Sequence, residues 1–327
     1  MSDTDAPVPD PTPRLEGRIL ALRPLRHACH LCGACCTGWH VRLTDAEEEA
    51  RVSAQAAELG IADPFTDATL RHEKGRCVFL SDESRCRIHE RFGADAKPLV
   101  CRQFPRRATL AEDGLRVGVD PSCTSTHLSW VDGPEIQPLV GMQSQLDLTP
   151  ELAASERGLL GLLSAPDMTF PRAIAIMTGS PPLGAELPVG FVARVLACLR
   201  LADISSVFVD PDNGWELRTR IRHLEPCLKE LDPAKPPPWE GMLTPEMDAF
   251  ALEVMRRHLF LRLGDPLLPP IAQALLVAMG VMVSGWASPD EEHFATGLSG
   301  WVRLVRVRGV WSRIFPETET ARWVLSG

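Results

Sequence analysis

The second half of the chain repeats one pattern, in which apolar residues return every three or four positions between proline breaks. Met247, Phe250, Ala251, Val254, Met255 and His258 fall on one face of a helix that Thr244-Pro245-Glu246 opens. The same opening recurs at Thr149-Pro150-Glu151 and Ser288-Pro289-Asp290. Each supplies an N-cap hydroxyl, a proline at the first helical position and an acid in the first turn, where unpaired amides favour negative charge. Ile271 to Ala287 is apolar except for Gln273 and Ser284. It falls short of the ~20 residues that span a bilayer, so a buried core helix is expected. Lys235-Pro236-Pro237-Pro238 reads as a stiff linker.

The first 130 residues follow another rhythm, short and polar. Thr44-Asp45-Ala46-Glu47 reads as a capping box, with Thr44 as N-cap and Glu47 reaching back, opening a helix to about Leu59 that Gly60 ends. Gly75 to Leu80 reads as a strand, Ser81 to Ser84 as a turn, and Cys86 to Gly93 as a short helix. Another short helix is expected from Ala96 to Arg102, before Phe104-Pro105. Arg107 to Val119 predicts a hairpin turning at Asp113-Gly114, which returns the chain to Cys123. The expected fold is mainly α: a small irregular α+β cysteine-rich metal-binding domain plus a helical C-terminal region. The boundaries are a disordered tail over 1–14, the cysteine domain over 15–130 and the helices over 131–327.

Charge narrows the partners. The 327 residues are 45% hydrophobic and 24% charged with a net charge of −9, which argues against a general affinity for nucleic acid or anionic membranes. A protein partner or protein substrate is left open. The acidic, proline-dotted Met1 to Pro13 has no apolar run behind a basic start, so a cytoplasmic location is expected. Thiols are kept reduced there and read as metal ligands or redox groups.

Eight of the ten cysteines fall in that first part: Cys29, Cys32, Cys35, Cys36, Cys77, Cys86, Cys101 and Cys123. Thiolates are soft ligands, and two intervening residues allow a turn that aims both sulfurs at one ion. Gly33 suits such a turn, which commonly needs a positive φ. All eight are candidate ligands, more than one tetrahedral ion or one four-cysteine cluster takes, so two sites and one site with spare thiols both stand. The Cys29, Cys32, Cys35 spacing is that of the bacterial ferredoxin run, which tilts the cofactor towards an iron–sulfur cluster of the 4Fe-4S type, with zinc as the alternative. From Arg76 to Arg107 there are eight Lys or Arg against four Asp or Glu, a setting suited to an anionic centre. Cys198 and Cys227 read as core residues; Arg303, Arg306 and Arg308 read as a wet helix face. No serine nucleophile motif, phosphate loop or nucleotide fingerprint is evident, so catalytic residues stay unassigned.

Four ordered motifs carry a resemblance: Cys29-His30-Leu31-Cys32-Gly33-Ala34-Cys35-Cys36, Gly75-Arg76-Cys77-Val78-Phe79-Leu80, Cys86-Arg87-Ile88-His89 and Cys101-Arg102-Gln103-Phe104-Pro105. Over roughly residues 27 to 125 the chain resembles the YkgJ-type CxxCxxCC cysteine-cluster family of zinc- or iron-chelating domains, with His89 in place of the usual tyrosine. The histidine reads as a substitution more than as an extra ligand. That family includes flagellin lysine N-methylases, but the region after the cysteines is too divergent to carry the activity over. The Cys-x3-Cys-x2-Cys pattern of radical S-adenosylmethionine enzymes fails too, because position 39 is Trp39. The resemblance implies metal binding and leaves three roles: a redox or protein-modifying enzyme, a zinc-stapled protein-interaction module, or a metal carrier or sensor.

Overall fold

The computed structural model describes residues 18–22, 25–37, 41–130, 132–137, 144–181, 186–209, 217–218, 221–222, 228, 239, 241–288, 290–307 and 309–326. The expected tail, the proline linker, Cys227 and Arg308 lie outside them. The cysteine-bearing part comprises β1 (Ile19–Ala21), α1 (Ala46–Glu58), the two-residue strands β2 (Phe65–Thr66), β3 (Thr69–Leu70), β4 (His72–Glu73) and β5 (Arg76–Cys77), α2 (Arg87–Phe92), α3 (Leu99–Gln103), β6 (Arg106–Ala111) and β7 (Gly114–Val119). After β8 (Ser144–Gln145) the described elements are helices: α4 (Pro150–Leu163), α5 (Phe170–Thr178), α6 (Phe191–Val209), α7 (Pro245–Phe260), α8 (Pro270–Ala287), α9 (Glu291–Leu304), α10 (Trp311–Ile314) and α11 (Thr318–Ser326). The protein is therefore mainly α, with a few small sheets.

Local chemistry explains most boundaries, and several shift from expectation: the strand expected over Gly75 to Leu80 shortens to β5, and α3 begins at Leu99, because Pro98 holds extended backbone as its cap, not at Ala96. Asp45, not Thr44, caps α1: its carboxylate accepts from Glu48 N at 2.8 Å, and Glu48 reaches back to Thr44 N at 2.8 Å. Glu48 also accepts from Leu99 N, so the cap ties α1 to α3. Thr149 and Thr244 cap α4 and α7 as expected. At the third start the cap is Asp290, which accepts from His293 N at 2.9 Å; a carboxylate is a better acceptor for that amide than the hydroxyl of Ser288, two residues earlier. The hairpin closes on the Ala111–Gly114 pair, so its turn is Glu112-Asp113, one residue early. Gly114 instead admits a close neighbour: a Cβ there would lie 2.2 Å from Arg18 O, where β1 joins the sheet edge.

The four-stranded sheet runs β1-β7-β6-β8, antiparallel only between β6 and β7. The helices share one core around α8, which is buried almost from end to end, as a helix apolar on all sides must be. Length and composition alone would let α8 cross a membrane, yet 83% of it is buried inside the protein. Gly280 makes this packing close: a Cβ would stand 2.1 Å from Trp301 Cδ1, and the indole donates to Leu276 O at 2.8 Å.

The sheet is bonded to the helices. Thr109 donates to Leu261 O at 2.8 Å. Arg116, 1% exposed, pairs with Asp113 at 2.9 Å and Glu156 at 2.5 Å. Arg262 pairs with Glu156 at 2.9 Å and Glu112 at 2.7 Å. Buried ions lose hydration, and this arrangement offsets the loss by giving each guanidinium two carboxylates. A separate small apolar cluster, centred on Val41, Val52, Leu70, Phe79 and Ile88, lies under the cysteine segment.

Candidate metal centre

Separate turns bring the thiols together. Residues Ala34–Cys36 form one 3-10 turn, closed by Cys36 N donating to Gly33 O at 2.8 Å. Gly33 has φ 70°, and a Cβ there would stand 2.5 Å from Ser84 O. Only glycine satisfies both demands, so the octapeptide rests directly on the loop before Cys86. Cys77 ends β5, Cys86 is the N-cap residue of α2, and Cys101 lies within α3. Cys123 sits in the turn after β7, its amide bonded to Asp120 O at 3.2 Å.

All eight candidate ligands line one cavity of about 280 Å³. Cys29 and Cys32 are exposed, Cys35, Cys36, Cys86 and Cys101 half-buried, and Cys77 and Cys123 buried. The Sγ atoms of Cys35 and Cys36 are 3.9 Å apart; two thiolates at ~2.3 Å from one tetrahedral zinc would stand roughly 3.8 Å apart. Among the described residues, no three Cys, His, Asp or Glu side chains are closed around the position of a single ion. The eight cysteines instead line a common space. This donor set, eight soft thiols around one cavity, is chemically suited to zinc or to iron.

Electrostatics agrees with that chemistry. The Cys35 thiol is lowered to about 6, first by its hydrogen bond with Cys36 and then by the positive charges of Arg303 and Lys97. Cys36 is pushed up by the same bond. Burial pushes Cys77 up to about 11 and raises Cys86, Cys101 and Cys123, with neighbouring thiols adding to the rise. Without a cation these groups resist ionising together; ligation requires thiolates and must release protons.

The histidines divide. His27 lines the cavity and is held neutral, lowered to about 4 by burial, His30 and Arg106. His30 is exposed. His89 lines the cavity, and its buried Nδ1 has no hydrogen-bond partner among the described residues. His127 packs edge-on against Phe250 at 6.2 Å. Cys198 is buried in the helical core, as expected.

The expectation of a wet face at Arg303 and Arg306 is overturned. Arg303 is 6% exposed and donates to Ser122 O at 2.8 Å and Ala34 O at 2.9 Å. Arg306 pairs with the fully buried Asp120 at 2.8 Å. Helix α9 turns this face onto the cysteine segment, so the charges meet carbonyls and a carboxylate instead of water. The local sequence carries no mark of this, because the partners lie about 180 to 270 positions upstream.

Residues 28–124 match the model of the CxxCxxCC family, described as a "putative zinc- or iron-chelating domain". The match spans all eight candidate ligands and agrees with the span of the four motifs. No curated protein and no solved structure matches the chain.

Proposed function

We propose that the protein holds an iron–sulfur cluster through its N-terminal thiols and uses it in redox or protein-modifying chemistry. The observation that carries this reading is the cavity: eight cysteines line about 280 Å³ and, among the described residues, no three ligands close on one ion. A group of several metal atoms fills such a space better than one ion. The Cys29, Cys32, Cys35 spacing and the cationic side chains of Lys97, Arg102, Arg106 and Arg303 on the wall suit a negatively charged cluster. When bound, such a cluster would supply one-electron chemistry. The residues themselves would provide the ligands, balance the charge and, through Phe104, Pro105 and Ile136, add apolar wall to the cavity. The open side at Cys29 and Cys32 leaves room for a protein partner or substrate.

The 3.9 Å separation of Cys35 and Cys36 favours a second reading, zinc held as a structural staple. Anaerobic purification followed by iron, zinc and sulfide analysis and an absorption spectrum separates the two. Iron with equimolar sulfide and broad visible absorption that bleaches on reduction is expected. Colourless protein with stoichiometric zinc alone would overturn the cluster.

A further inference from the structure

The eight thiols do not share one environment. Cys36, Cys77, Cys86 and Cys101 pack within the apolar cluster of Val41, Phe79 and Ile88, whereas Cys29, Cys32, Cys35 and Cys123 do not belong to it. Of the latter, Cys29 and Cys32 are exposed, and Cys32 Sγ lies 3.5 Å from Thr124 Oγ1, beside Cys123. Cys35 and Cys36 are consecutive on a 3-10 turn, where successive side chains point ~120° apart. Their Sγ atoms are nevertheless only 3.9 Å apart, so the pair stands where the two groups meet and can supply one ligand to each.

We infer that the cavity holds two four-cysteine sites: an inner one of Cys36, Cys77, Cys86 and Cys101, and an outer one of Cys29, Cys32, Cys35 and Cys123. This deepens the metal-binding reading and rests on it. The inner ligands come from a turn, a strand end and two short helices in an apolar setting, which suits a closed structural ion. The outer ligands are a ferredoxin-type triplet plus one remote cysteine, open to solvent, which suits the cluster. Arg303 bonds the backbone beside the outer set. The carbonyls it holds, those of Ala34 and Ser122, immediately precede Cys35 and Cys123. One guanidinium from α9 thus fixes the two backbone segments that must meet for the outer site to form, making Arg303 a positioning residue.

The test uses the full chain, purified anaerobically, as wild type and as Cys29→Ser/Cys32→Ser. Both positions are exposed, so the double variant should fold, and its circular dichroism checks this. Metal and sulfide content and thiol alkylation mapped by mass spectrometry are measured on each. The expected result is a double variant that loses the outer metal complement and its visible absorption but keeps one tightly bound ion. Cys36, Cys77, Cys86 and Cys101 should then resist alkylation while Cys35 and Cys123 react. A folded variant that loses every metal, or in which all remaining thiols react alike, overturns the two-site inference and leaves metal binding standing. A wild type that binds neither zinc nor iron overturns both.

Discussion

Arg303 and Gly33 show how single positions shape the centre. Arg303→Met removes both carbonyl bonds, and losses of this outer-shell kind typically weaken metal binding 10–100-fold. Competition with a chromophoric chelator should show that loss, with Arg303→Lys intermediate because it keeps charge but not the two-pronged geometry. Equal chelator curves for the three proteins would rule out the positioning role. Gly33→Ala forces a Cβ to 2.5 Å from Ser84 O at a φ of 70°, a strain of roughly 1–3 kcal/mol. Metal retention after dialysis against chelator should fall, and a fully loaded variant would contradict this. Gly33 was legible in the sequence because a cysteine turn calls locally for positive φ. Arg303 was not: its partners are set by how α9 packs, and the local sequence gives no clue to that.

At the scale of elements, helix openings were legible to within three residues, because capping is local. The shift from Thr44 to Asp45 arose because Glu48 also bonds Leu99, a contact distant in sequence. The turn of the β6–β7 hairpin likewise moved so that Glu112 and Asp113 face Arg262 and Arg116. This joint titrates. Hydrogen bonds from Arg262 hold Glu112 down to about 2 from 4.5. Because the folded value is the lower one, the stabilisation is complete above about pH 4.5 and disappears as pH falls towards 2. Glu112 is 32% exposed, so solvent limits the effect to roughly 1 kcal/mol. Denaturant unfolding should find Glu112→Gln less stable than wild type at pH 7, with the gap closing as pH approaches 2. A gap independent of pH would refute the ion-pair account.

At the scale of the whole molecule, two kinds of cohesion are joined through one sheet. The helices share a broad apolar core around α8, whereas the cysteine part has only a small cluster that includes its own thiols. That contrast was visible as a change in hydrophobic rhythm near residue 130; how the parts dock was not, since it rests on ion pairs between distant residues. The small core implies that bound metal supplies much of the cysteine part's stability, on the order of 10 kcal/mol for a structural site. Removing metal from the full chain should then loosen that part while the helices persist. The chain itself provides separate reporters, because Trp39 alone among the eight tryptophans precedes Cys123. Chelation should therefore make the thiols react rapidly with Ellman's reagent while tryptophan emission and helical dichroism change little. A single transition lost by both reporters together would mean that the ion-paired joint couples the two parts into one folding unit.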